Sequence, residues 1–193
     1  ALLPVNQHKV LIELVLDSLP EKIDTVVIST KYLGHLIEKR VGAQYRNKKI
    51  FYARQPEDQD GTWPPVYCTR KYITEGEIFC VFNCDDIFDT KEVEKTLESP
   101  TIGIGVTPTT LPAKYHGVRI TDTGYLEKLE RHPNENREEL VKDIFTNGFF
   151  ILDSRIFDFP AFKLIDGEYG LPQTILAQKE TYPLFVHQMN YWQ

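Results

Sequence analysis

Five apolar residues in succession, Ile78-Phe79-Cys80-Val81-Phe82, stop at Asn83, and Asp85 and Asp86 follow at once. The run is too short for an ordinary helix and suits a strand buried on both faces of a parallel sheet. In an open α/β sheet, ligands gather beyond the carboxyl ends of the strands. An acid placed there can hold a hard cation such as Mg²⁺, usually together with substrate phosphates. A polar turn capping a helix that opens near Thr90 would use the same residues. From this stretch alone both readings stay open.

The flanking segments place that strand in an α/β pattern. Val10, Leu11, Leu14, Val15 and Leu19 recur at helical spacing, which predicts a helix over 7–19 ending at Leu19-Pro20. The β-branched run 25–29 reads as a strand. Leu33, Leu36, Ile37 and Val41 mark a second helix with Gly42 as its cap, and 50–53 a second strand. Alternating helices and strands signal crossover connections and a parallel sheet. Residues 55–62 form a polar loop before a helix that Pro64 or Pro65 could open, reaching to Ile73. Trp63 is placed either to stack on a base or to cover the core. Val93 and Leu97 suggest a further short helix, with Asp86 and Asp89 as caps or surface charges.

Beyond Pro100 strands dominate. They are expected over 101–106, over 115–121 and 125–130 as a hairpin turning at Asp122-Thr123-Gly124, over 145–152 and over 184–189. A helix over 173–179 intervenes, and 134–142 is charged and solvated. The expected fold class is α/β, Rossmann-like. A mostly parallel central sheet is flanked by helices, and mixed or antiparallel strands are added in the second half. A single domain over 1–193 is expected, with no repeat or linker.

Composition narrows the function. A hydrophobic fraction of 41% with 12% aromatics supports a real core. A formal net charge of −6 with scattered lysines and arginines argues against a nucleic-acid partner, but not against a phosphorylated small ligand. No apolar run approaches the ~20 residues that cross a bilayer, so no membrane partner is expected. The first residues lack a signal-peptide shape. Cys68, Cys80 and Cys84 are odd in number and lack Cys-x-x-Cys spacing, which indicates neither a disulfide framework nor a zinc site. Reduced thiols in a cytoplasmic protein are the expectation. His8, His35, His116, His132 and His187 show no metal-ligand spacing.

Several ordered pieces carry a resemblance. Ala1-Leu2-Leu3-Pro4-Val5 with Leu11-Ile12-Glu13 is followed by Tyr32-Leu33-Gly34-His35-Leu36-Ile37. Next come Gln55-Pro56 with Gly61-Thr62, then Asn83-Cys84-Asp85-Asp86-Ile87-Phe88. His116-Gly117-Val118, Glu130-Arg131-His132-Pro133 and Asn147-Gly148-Phe149-Phe150 complete the series. In this order they resemble the K-x-L-L-P-V…P-L-I-E, Y-L-G-x-x-I, Q-P-x-x-x-G-T, G-D-x-I-F, Y-G-V and E-K-P segments, and the sugar-contacting strand, of the sugar-1-phosphate nucleotidylyltransferases. The resemblance implies a nucleotide-diphospho-sugar transferase-like fold, with a nucleotide-binding half over 1–100 and a sugar-phosphate-binding half over 101–193.

It also implies an activity: Mg²⁺-dependent joining of a nucleoside triphosphate to a sugar 1-phosphate, or a similar phosphorylated alcohol, with release of pyrophosphate. Asp85 would be the metal ligand, and Arg131, or failing it Lys128, the cation on the sugar phosphate. Gln55, Gly61 and Thr62 would bind the nucleotide, and Gly117, Glu130, Asn147 and Gly148 the sugar. A homo-oligomer is compatible with the family. The G-x-G-T-R loop that precedes K-x-L-L-P-V is absent, and the chain stops at Trp192-Gln193 where the Asp of W-x-D would follow. This polypeptide by itself is therefore expected to be inactive, as the ordered core or trimmed form of a longer enzyme. Two alternatives remain: a non-catalytic regulatory or binding domain of the same fold, and a nucleotide-sugar glycosyltransferase.

Overall fold

A computed structural model describes the chain except for Ser99, residues 132–135 and 191–193; of Arg131 it describes the backbone. Two sheets organise it. The first has the order β1-β3-β2, from Thr25–Thr30 (β1), Gln44–Tyr45 (β2) and Lys48–Arg54 (β3). β1 and β3 run parallel, as a crossover through the helix Gly34–Val41 (α2) requires. Helix Leu11–Ser18 (α1) and α2 supply Ile12, Leu16, Ile37 and Val41 to a core shared with Ile28 and Ile50 of the sheet. α1 begins later than its periodicity predicts. The Asn6 carboxamide accepts from the His8 and Lys9 amides, and Pro4 bridges to Val10, so this stretch is spent in a turn.

The second sheet contains Ile78–Phe82 (β4), Gly103–Pro112 (β5), His116–Ile120 (β6), Leu126–Arg131 (β7), Leu140–Asp153 (β8) and Phe185–Gln188 (β9). Its order is β7-β6-β8-β5-β9, and β4 pairs with the far end of β8. β8 is the axis. Its alternating side chains feed two cores: Phe150 and Leu152 pack with Trp63, Ile104, Ile156 and Ile175, whereas Phe149 and Ile151 pack with Phe88, Val93 and Met189. Helices Trp63–Tyr67 (α3) and Leu171–Leu176 (α5) cover the first of these cores, and Thr90–Thr96 (α4) the second. Trp63, 3% exposed, is thus a core residue.

β4 differs from its sequence expectation in an instructive way. Phe79 and Val81 pack on one core and Cys80 and Phe82 on the other, so both faces are covered. Its partner, however, is antiparallel β8, and among the described residues it pairs on that side only. The strand is consequently half-buried, with Ile78 48% exposed. Coverage of both faces produces the continuous apolar run, whatever the direction of the neighbour.

Candidate active site

The turn after β4 presents the candidate carboxylates. Asn83, Cys84 and Asp85 are exposed, whereas Asp86 is buried. Rings pin both ends of the turn: Phe82 lies 5.0 Å and Phe88 6.0 Å from Phe149 of β8, centroid to centroid. Asp89 accepts from the Lys91 amide at 2.8 Å and caps α4. The cap expected from the sequence is therefore Asp89. Asp86 instead turns inward, where the Asn83 carboxamide donates to its Oδ2 at 2.8 Å.

Opposite this turn β8 is distorted. Ile104 pairs with Phe150 but Val106 pairs with Thr146, so Gly105 faces the bulge 147–149. Gly148 adopts φ +74°, a conformation that favours glycine. Asn147 is wholly buried; it donates to the Thr107 hydroxyl at 3.0 Å and accepts from the Phe149 amide at 3.3 Å. Both of its polar ends therefore serve the bulge.

The loop 55–62 leaves the carboxyl end of β3. Gln55, partly exposed, donates its amide to the carbonyl of Thr30, the last residue of β1. Lys31 reaches across to the Gln59 carbonyl at 2.9 Å and the Asp60 carboxylate at 2.7 Å, which ties the loop down. Gly61 bridges to Tyr169, and a Cβ on it would fall 2.3 Å from the Tyr169 carbonyl oxygen. The Thr62 hydroxyl accepts from the Leu171 amide at 2.8 Å. Gly61 and Thr62 thus dock the loop onto the segment around the start of α5, and Gln55 is left half-buried at its other end.

Gly117 of β6 pairs in register with Glu130 of β7. Around them runs a charge network, of which the close spacing of Lys128 and Glu130 on one strand signals only one pair. Arg119 is shared between Asp143, at 3.0 Å, and Glu130, and Lys128 also binds Glu130. Lys128, foremost, and Arg119 hold the Glu130 carboxyl below the usual range, and Asp143, foremost, and Glu130 push the Arg119 guanidinium up. The missing Cβ of Gly117 makes room for Asp143, whose Oδ2 would lie 2.2 Å from it. No local sequence signal marks Arg119 or Asp143, because their meeting depends on the register of three strands. The Arg131 side chain, His132 and Pro133 of the E-K-P-like segment, and Trp192 and Gln193, lie outside the described residues.

Among the described residues no three His, Cys, Asp or Glu side chains are arranged to hold a metal ion. Mg²⁺ needs no such cluster, since it is usually held by one or two carboxylates, waters and substrate phosphates. Asp85, exposed on its turn, is the residue able to contribute in this way. Two clefts, of about 400 and 390 Å³, lie elsewhere and include none of the candidate site residues.

No curated protein sequence matches the chain. Solved structures share its fold. The inositol-1-phosphate CTP transferase from T. maritima matches 99% of this chain and 78% of its own, with TM-score 0.77 and 12% identity. A UDP-glucose pyrophosphorylase complexed with UDP-glucose matches 98% and 81%, with TM-score 0.75 and 16% identity. A putative glucose-1-phosphate thymidylyltransferase from Bacillus anthracis matches 99% and 78%, with TM-score 0.74 and 16% identity. The model of a family described as nucleotidyl transferase matches residues 1–192, in agreement with the ordered motifs, and the chain therefore belongs to the nucleotidyl transferase family.

Proposed function

We propose that this protein transfers a nucleotidyl group from a nucleoside triphosphate to a sugar 1-phosphate or a similar phosphorylated alcohol, releasing pyrophosphate. The observation that carries this reading is the exposed Asp85 on a turn fixed beyond the carboxyl end of β4, in a chain that the family matches over residues 1–192. Two structural neighbours support the acceptor class, being named for inositol 1-phosphate and glucose 1-phosphate, and a third is named for a nucleotide sugar, UDP-glucose.

In this reaction an oxygen of the sugar phosphate attacks the α-phosphorus in line, the bond to the β-phosphate oxygen breaks, and pyrophosphate leaves. A bound Mg²⁺ would supply charge neutralisation on the triphosphate and the departing pyrophosphate. Asp85 would hold it. Residues 1–100 form the nucleotide half, in which the Gln55 carboxamide offers a donor and an acceptor to a base edge. Gly61 and Thr62 act there by fixing the loop that carries Gln55. Residues 101–193 form the acceptor half, where the Gly117 amide and the Glu130 carboxylate face the sugar hydroxyls, and Asn147 and Gly148 shape the wall. Arg131 supplies the cation for the sugar phosphate. Glu130 must exchange one of its ion-pair partners for a hydroxyl, and both partners are half-exposed, so the exchange is cheap. Catalysis by such a set is positioning and charge stabilisation.

The test uses the full-length protein. A thermal-shift screen of CTP, UTP, dTTP, ATP and GTP with Mg²⁺ should single out a stabilising triphosphate. Pyrophosphate release with that triphosphate and a panel of sugar 1-phosphates should then identify the acceptor. Stabilisation without turnover across the panel would assign the chain to a binding module instead.

A further inference from the structure

We propose that Asp86 and Gly148 form a clasp that fixes the turn carrying Asp85, which makes Asp86 a positioning residue rather than a second metal ligand. The functional consequence rests on the nucleotidyl-transfer reading above; the clasp itself does not.

Asp86 is 8% exposed, although Asn83, Cys84 and Asp85 just before it are all exposed. A carboxylate is withdrawn from water only where hydrogen bonds compensate it. One comes from the Asn83 carboxamide at 2.8 Å, across the turn. The backbone amide of Asn83 in turn donates to the Gly148 carbonyl at 3.3 Å. Both residues that bracket Cys84 and Asp85 are thus held against one residue of β8. The fit is close: a Cβ on Gly148 would fall 2.1 Å from Asp86 Oδ2 and 2.3 Å from Asn83 Nδ2. The bulge that offers Gly148 is itself held by buried Asn147, and Gly105 leaves room for it, since a Cβ there would meet Asn147 Oδ1 at 2.3 Å. Helix capping is carried out by Asp89, so it does not account for the inward turn of Asp86. With both sides of the turn clamped, Asp85 is left exposed on it and its position is set by Asn83, Asp86 and Gly148.

The test is nuclear magnetic resonance on the ¹⁵N-labelled full-length protein. Without metal, Asp86→Ala and Gly148→Ala should speed amide exchange at Asn83 and Cys84, whereas Asp85→Asn should not. With Mn²⁺ alone as the probe, the wild type should show broadening at 84–86. Asp86→Ala and Gly148→Ala should weaken that binding about 10–100-fold, as loss of supporting groups around a metal ligand does. Asp86→Asn, which keeps an oxygen to accept from Asn83, should stay close to wild type. Unchanged exchange and Mn²⁺ binding in Asp86→Ala would overturn the proposal. So would Asp86→Asn binding as weakly as Asp86→Ala, because that result makes Asp86 a ligand. A wild type without broadening at 84–86 would remove Asp85 from metal binding, while the metal-free exchange would still decide the clasp.

Discussion

Replacing Asn147 by alanine separates two roles for a residue that the motif resemblance assigns to the sugar. The structure buries Asn147 fully, with its donor on the Thr107 hydroxyl and its acceptor on the Phe149 amide. Alanine strands both partners, and Thr107 is itself only 5% exposed. A buried polar group left unsatisfied costs about 1–3 kcal/mol. The Phe149 bond is long at 3.3 Å, so its loss belongs at the low end of that range. The two losses together should destabilise the protein by about 2–4 kcal/mol. For a chain of this size that lowers Tm by about 4–16 °C. Urea denaturation should show a shifted midpoint with an unchanged slope. A cycle with Thr107→Val should give a coupling of about 0.5–3 kcal/mol, because the pair shares a hydrogen bond. In the folded enzyme KM for the sugar phosphate should barely move. A variant as stable as wild type to within about 0.5 kcal/mol, with KM raised severalfold, would instead place Asn147 on the substrate.

Three further outcomes can be checked cheaply. Burial pushes the Cys80 thiol up to about 12 while Cys84 is exposed, so a thiol reagent near neutral pH should label Cys84 first and Cys80 only after unfolding. The hydrogen bonds from Arg40 hold the Glu13 carboxyl below its ordinary 4.5. The stability this gives is present above that value and is lost as pH falls through the lower folded one. Glu13→Gln should therefore be less stable than wild type at neutral pH, and the gap should close in acid; a gap independent of pH would remove the pair from the account. Ile78, exposed on a strand paired on one side among the described residues, invites edge-to-edge association. Ile78→Lys should lower light scattering on concentration.

What could be read from the sequence was local. Apolar runs and their ends located β1, β3 and β4, Gly42 stops α2 at φ +75°, and Gly124 turns the β6–β7 hairpin at φ +86°. Order and register were not legible. The same run that suggests a strand inside a parallel sheet also suits β4, whose two faces are covered by different cores beside an antiparallel partner. Asp86 reads as a cap because caps and buried acids look alike in a turn, and Gly148, more than 60 residues away in sequence, decides between them. Gln55, Gly61 and Thr62 were legible as a loop beyond a strand, but the docking of that loop on Tyr169 and Leu171 is a long-range contact with no local signature. The Arg119–Asp143 pair likewise appears only once β6 and β8 are side by side.

In the proposed reaction Asp85 lends its carboxylate to a cation on the triphosphate, beyond the end of β4. Pyrophosphate release by full-length Asp85→Asn, measured against Mg²⁺ concentration with the stabilising triphosphate and its sugar phosphate, tests it most directly. Turnover should fall about 10²–10³-fold with the melting temperature little changed, as when a charge-stabilising group is lost from an otherwise intact site. A rate and a Mg²⁺ dependence equal to those of the wild type would contradict it.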